Sequence, residues 1–358
     1  MPPKKKAAKP ASKSEKEETN EAPELPATET NEPPKDEAQP AEGDLKADAN
    51  DANEEKVESN GDAKQDEKPN TTSKPSKKRK KEAEPTAPSK ASRRSARGVS
   101  KSEPSQQQLL NFLLSSKAQE LVRPEDEKKD VQERGDIRTY SSSVLNPFEE
   151  LMSAMVLSRP ISHRLGLRSI RTVLNDPYNF SNAKTVKDAG EEKRHQALWD
   201  AKTQHKGKTA DQIGMLADVV LDKYTSDDDK EGAQLKRALS DNDNDLDKAL
   251  SSMKENIKGL GNTGLDIFLR RVQWLWDVGF PYIDGRTRDS LRNIGLTPDA
   301  EELQKLVEEH WRQLDTKHLA GEGEAAKKRR AFVVILERVT GADLEGKVDA
   351  VLQEAASA

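Results

Sequence analysis

The sequence predicts an all-α protein on three observations. Apolar residues recur at helical spacing from Tyr140 onward, helix-opening signals precede several of those stripes, and no segment alternates long enough in strong β-formers to make a strand. Of 358 residues, 35% are charged and 32% hydrophobic, and these averages conceal unlike parts. Residues 1–104 hold no aromatic side chain and are dominated by Pro, Lys, Glu, Ala, Asn and Ser. Such a stretch cannot bury enough apolar surface to offset its ordering entropy, so a long disordered tail is expected. Residues 105–134 read as a linker with one short helix. Residues 135–358, which carry all four Trp, read as one compact domain or two small lobes.

Composition excludes several classes of function. The absence of cysteine removes disulfides, thiol catalysis and cysteine-held zinc or iron–sulfur sites. No stretch has the length and apolarity of a membrane span or a signal-peptide core, so a soluble intracellular protein with no membrane partner is expected. The net charge of -5 weighs little, because the charges are segregated along the chain. His163, His195, His205, His310 and His318 lack metal-ligand spacing, and no metal or cofactor is expected. Asp241 to Asp245 starts like a calcium loop, but Leu246 and Ser252 hold the positions that need Gly and Glu. A solvated acidic loop or helix cap is the expected use.

Taken in order, the tail carries a basic run at Lys77, Lys78, Arg79, Lys80 and Lys81, followed by Arg93, Arg94 and Arg97. Such runs engage import receptors or phosphates, or are simply solvated linker. Import to the nucleus is the expectation that suits the domain that follows. Gln106, Leu109 and Phe112, with Leu113 in place of a second aromatic, loosely resemble a sliding-clamp-binding box, but a short helix docked on the domain is the favoured reading. Asn146, Pro147, Phe148, Glu149 and Glu150 open a helix, with a capping residue, proline at the first position and acids in the first turn. Further amphipathic helices are expected at 183–188, 191–202, 209–223, 231–239 and 246–254. Others are expected at 286–294, 300–314 and 325–356, the last interrupted at Gly341.

The most informative segment is IKGLGNTGLDIFLRR at 257–271, followed by PYIDGRTRDSL. Gly259, Leu260 and Gly261 lie between two helical stretches, as in a helix-hairpin-helix. There glycines permit the tight turn and let backbone N–H groups approach a DNA phosphate. A lone carboxylate, Asp284, follows. Its structural alternative is an ordinary helix N-cap, which is compatible with catalysis. Trp274 and Trp276 are candidates for stacking, although two-residue spacing puts at least one in the core. Lys327, Lys328, Arg329 and Arg330 read as a solvated helix face.

Over residues 141–296 the chain resembles the helix-hairpin-helix DNA glycosylases typified by endonuclease III. NPFEELMSAMVLSRPIS is similar to that family's Pro-Phe to Leu-Ser helix. IKGLGNTG is similar to its Leu-Pro-Gly-Val-Gly hairpin, and Asp284 falls where its catalytic aspartate is expected. The resemblance implies a two-lobed helical fold that flips a nucleotide into a pocket between the lobes. It further implies double-stranded DNA as partner, with contacts from Lys258, Gly259, Leu260, Gly261, Asn262, Thr263, Arg286 and Arg288. Asp284 would stabilise an oxocarbenium-like sugar or orient water.

The departures are specific. Thr263 stands at the family's lysine position and cannot form an imine, so no lyase step is expected by that route. The iron–sulfur cysteines are absent, Arg159-Pro160 replaces the glutamine that fills the emptied stack, and Gly285-Arg286 replaces Thr-His. Arg159 is a candidate for the stack-filling role through its planar guanidinium. The expected protein is therefore a nuclear, monomeric, monofunctional DNA glycosylase. The alternative is a DNA-binding protein that kept the hairpin and lost excision.

Overall fold

The computed structural model describes residues 103–358, and every regular element among them is helical. The tail, including the basic run at Lys77 to Lys81, lies outside the described residues through residue 102. Helices α1 (Gln106–Leu114), α2 (Ser116–Val122) and α3 (Glu125–Arg134) open the described chain. Ser105 caps α1 in a capping box with Gln108, and Ser115 ends α1 and caps α2. Leu109, Leu110, Phe112, Leu113 and Leu114 are all buried. Arg338 reaches over from the far end of the chain and donates to the carbonyls of Leu113 and Ser115. This segment is a packed part of the domain rather than a linker with one helix. Leu109 and Phe112 therefore cannot serve a sliding clamp, because docking there would tear them from the core.

Next come α4 (Pro147–Leu157) and α5 (His163–Leu174). α4 opens as the sequence predicts, with an Asn146–Glu149 capping box and Pro147 at its first position, and it is buried from Pro147 to Val156. α6 (Ala183–Asp188), α7 (Gly190–Asp200) and α8 (Lys206–Val219) follow, and α8 runs on in a π-helical turn through Tyr224. The helix expected at 231–239 shrinks to α9 (Lys236–Ser240). Asp229 explains this, since its carboxylate accepts the N–H groups of Ala233 and Gln234 at 2.8 and 2.7 Å and holds them in a loop.

The remaining helices are α10 (Leu246–Asn256), α11 (Asn262–Val272), α12 (Gly285–Ile294), α13 (Ala300–His310), α14 (Gly323–Leu344) and α15 (Val348–Ala356). α14 passes through Gly341 without a break. One glycine weakens a helix by only about 1 kcal/mol relative to alanine, and buried Phe332, Ile335, Leu336 and Val339 hold α14 in place.

Two hydrophobic clusters result. The first is built from α4 to α11 and includes Phe148, Met155, Ile213 and Phe268. The second joins α1 and α2 to α12 through α15, around Leu113, Leu291, Phe332 and Leu336. Trp274 and Trp276 are both buried, and Trp276 meets Phe268 edge-on at 5.1 Å, so neither offers an open stacking face. Arg330 is not solvated either: it is buried over the Trp274 ring, and burial pushes its pKa down to about 10. No helix among the described residues is long and apolar enough to cross a membrane.

Candidate functional site

The glycine turn between α10 and α11 forms the rim of the candidate site. Ile257 ends α10 by donating to the Met253 carbonyl, and the Leu260 N–H returns to Ile257 O at 3.1 Å. Gly259 has φ +92°, and a Cβ there would lie 2.2 Å from Gln212 Nε2. The conformation calls for glycine, and a Cβ would displace the tip of the Gln212 side chain. Gly261 is different: its φ of -103° suits any residue, and a Cβ there would meet nothing within 4 Å. Ile257 and Leu260 anchor the turn from below as buried residues.

Gly261 is the N-cap of α11 and has no side chain to cap with. The first-turn amides of Asn262, Thr263 and Gly264 therefore have no intrahelical acceptor. They border a groove of about 360 Å³, shared with Ser158, Arg159, Lys254, Gly259 and Gly261. No carboxylate lines that groove. Among the described residues the half-buried Arg159 has no partner for Nε or Nη2, and burial holds its guanidinium below the usual pKa. The positive end of a helix, unpaired amides and a basic lining favour an anion here. Lys258 is exposed beside the turn, outside the groove lining.

Thr263 also lines a second depression, a cleft of about 560 Å³. Its wall includes Tyr140, Leu157, Ile161, His163 and Asp266. Arg270, Asp284, Arg286, Glu337 and Arg338 add charged groups to the lining. Asp284 is 5% exposed and is the N-cap of α12. Its Oδ1 accepts the Thr287 N–H at 3.0 Å, while Oδ2 accepts the Thr287 hydroxyl at 2.6 Å and Arg270 Nη1 at 3.1 Å. Burial alone would raise the Asp284 pKa; Arg270 and the two Thr287 donors outweigh it and hold the carboxyl below its ordinary value. Capping and a charged carboxylate thus coexist.

Behind Asp284 runs a buried chain of charges. Arg270 donates to Glu337 at 2.7 Å, Glu337 lies 3.3 Å from Arg271, and Arg271 binds both oxygens of Glu150 at 2.9 to 3.1 Å. This chain ties α4, α11, α12 and α14 together. Nothing in the spacing identifies Glu150 or Glu337 as partners of α11, although Glu337 and Arg338 interrupt an otherwise apolar run and Arg270 and Arg271 follow one. His163, also in the cleft wall, is held below its ordinary pKa by burial, which Glu345 and Glu337 only partly offset.

Of the other expected DNA contacts, Arg286 is exposed and paired with Asp343 at 2.8 Å, and Arg288 is exposed. Asp245 caps α10 by accepting from the Lys248 N–H, which is the expected use of the acidic loop. The fold also gathers Glu191, His195 and Asp211 at the surface, their ligand atoms within 4.8 Å of one another. Glu191 and His195 are one helical turn apart, but Asp211 comes from α8, which spacing along one helix cannot reveal. His195 Nε2 lies 2.9 Å from Asp211, so the group is accounted for as a surface hydrogen-bonded pair. Compared with known families, curated proteins and solved structures, the chain gave no match.

Proposed function

We propose that this protein is a monofunctional DNA N-glycosylase with the two-lobed helix-hairpin-helix arrangement. The observation that supports it most is the position of Thr263, which borders both the anion-favouring groove and the cleft that holds Asp284. A duplex phosphate held by the α11 amides would bring its nucleotide to the cleft mouth, where the base can leave the stack. The C1′–N bond then breaks with its electron pair going to the departing base. The sugar becomes cationic, and Asp284, kept ionised by Arg270 and Thr287, stabilises that charge. Its lowered pKa makes it a poor proton acceptor, so water adds to C1′ and loses its proton to solvent. Thr263 offers no amine, so the chemistry ends at an abasic site. On this reading the run Lys77 to Lys81 is a nuclear import address.

A second reading, a DNA-binding protein without excision, is favoured by the ion pair itself, since both Asp284 oxygens are already engaged. The deciding experiment incubates the full chain and Asp284→Asn with duplexes that carry damaged and mismatched bases, with and without hot alkali. Breaks that need alkali and disappear in Asp284→Asn are expected. Breaks without alkali would sink the monofunctional assignment. Duplex binding with no excision across the panel would favour the second reading, and no duplex binding would end both.

A further inference from the structure

One buried polar group of the cleft wall stands outside the charge network without a partner among the described residues. Tyr140 is 3% exposed and lines the cleft, and its hydroxyl has no partner among the described residues. Among the described residues that line the cleft, no other side chain has a buried polar atom in that condition. A buried hydroxyl without a partner is less stable than the same ring without the oxygen, so packing alone does not account for a tyrosine here.

The ring is held firmly. Arg271 sits over one face, 4.2 Å from the ring centroid. The flanking backbone is tied on both sides, with Thr139 N–H donating to Ser143 Oγ at 2.9 Å and Ser143 N–H donating to Thr139 O at 3.1 Å. Arg138 exchanges backbone bonds with the Asn175 amide at 2.8 Å each way. A hydroxyl fixed this way loses little freedom when it binds a ligand.

The rest of the wall indicates the kind of ligand. Leu157, Ile161, Leu167 and Ile267 provide apolar surface. Asp284 and Glu337 are matched by Arg270, and Asp266 accepts the Tyr282 hydroxyl at 2.6 Å. Arg338, also in the wall, donates to the Leu113 and Ser115 carbonyls, so these charged groups are engaged within the protein, and an uncharged planar heterocycle suits the apolar surface. Burial and the Glu337 carboxylate push the Tyr140 pKa up, which keeps the phenol protonated as a donor.

We propose that Tyr140 determines specificity, its hydroxyl donating a hydrogen bond to a carbonyl oxygen on the edge of an uncharged nucleobase held in the cleft. This rests on the glycosylase reading. It favours bases with a carbonyl where the parent base has an amino group, because an amino group would set donor against donor.

The test is equilibrium binding of the full chain to duplexes with one 2′-fluoroarabino nucleotide, whose fluorine disfavours the sugar cation and prevents excision. Uracil is compared with cytosine, and hypoxanthine with adenine, each opposite an abasic analogue so that pairing does not differ. The wild type is expected to prefer each carbonyl base by about tenfold, the worth of one good hydrogen bond. Tyr140→Phe should bring that preference to within about twofold while leaving the affinity for an unmodified duplex unchanged. Its Tm should be equal or higher, since an unpaired hydroxyl is lost. A preference that survives in Tyr140→Phe overturns the proposal, as does a wild type with no preference. A Tm lower by several degrees would make the hydroxyl structural and overturn it as well. If the wild type binds no duplex at all, the unmodified-duplex arm shows that the DNA reading has failed, and this assignment falls with it.

Discussion

The floor of the cleft and its glycine rim meet at Thr263 and treat polar groups in opposite ways. Behind Asp284 each charge has a counterpart, in the series Asp284, Arg270, Glu337, Arg271, Glu150. At the rim the first-turn amides of α11 and the Arg159 guanidinium lack partners. Folding completes the floor by itself, so its charges serve architecture first. The rim is completed only when an anion arrives, so its polar groups contribute to binding rather than to stability. Altering each region should therefore move different observables.

The largest effect belongs to the floor. Arg271→Leu strands Glu150 in the interior and leaves Glu337 with Arg270 alone, and removing one partner of a buried pair is destabilising by about 3–5 kcal/mol. Urea denaturation should show that loss. A change below about 1 kcal/mol would mean that the interior charges are solvated and the contrast with the rim is false.

Asp284→Asn comes next. Asparagine caps a helix as well as aspartate does, so the Thr287 N–H remains satisfied while Arg270 loses one of its two countercharges and keeps Glu337. About 1–3 kcal/mol is expected. The pH dependence sharpens this, because the Asp284 and Glu337 carboxyls both titrate below their ordinary values of 3.8 and 4.5 in the fold. Groups with depressed folded pKa values stabilise the protein above the ordinary values. That contribution is lost as pH falls from there through the folded values. Wild-type stability should decline over that acid window, and Asp284→Asn should decline less steeply. Equal slopes would mean that Asp284 does not carry its share.

At the rim, Gly259→Ala and Gly261→Ala separate the two uses of glycine. Gly259→Ala forces a side chain into φ +92° against Gln212 and should be destabilising by about 1–2 kcal/mol. Gly261→Ala, at an ordinary φ with open space, should leave stability within about 0.5 kcal/mol. Its methyl nevertheless stands where a phosphate would approach, so duplex affinity should fall. A Gly261→Ala protein that binds duplex DNA normally would remove the close-approach argument.

This contrast also explains what could be read from the sequence. The hairpin is local: Ile257, Gly259, Leu260 and Gly261 are neighbours, and the need for glycine follows from the turn they make. The α4 opening was legible for the same reason, since cap, proline and acids occupy consecutive positions. Asp284 as a cap needed only Thr287, three residues on. The floor is non-local, because Glu150, Arg271 and Glu337 come from distant segments and no spacing pairs them. Phe112 carries a local likeness to a clamp box, but the docked helix that the sequence favoured is what it forms, against α14 and α15 more than two hundred residues away. Tyr140 carries no signal at all in the sequence, because an orphan hydroxyl is visible only after every possible partner has been placed elsewhere.

The smallest expected effect on stability is the one that best separates two roles for the rim. Arg159→Ala removes a guanidinium whose Nε and Nη2 have no partner among the described residues, so the unfolding free energy should stay within about 0.5 kcal/mol. If Arg159 meets a phosphate, log affinity for duplex DNA should depend less steeply on log salt, the slope falling by about 1, with weaker binding to every sequence alike. If it instead fills the space left by a flipped base, the slope should stay nearly the same. Only duplexes with an extrahelical nucleotide should then bind less well. The groove geometry favours the first outcome, because Arg159 Nη2 approaches to 3.1 Å of where a Gly259 Cβ would stand, beside the unpaired amides. An unchanged slope with loss confined to lesion duplexes would transfer Arg159 from the phosphate rim to the base stack.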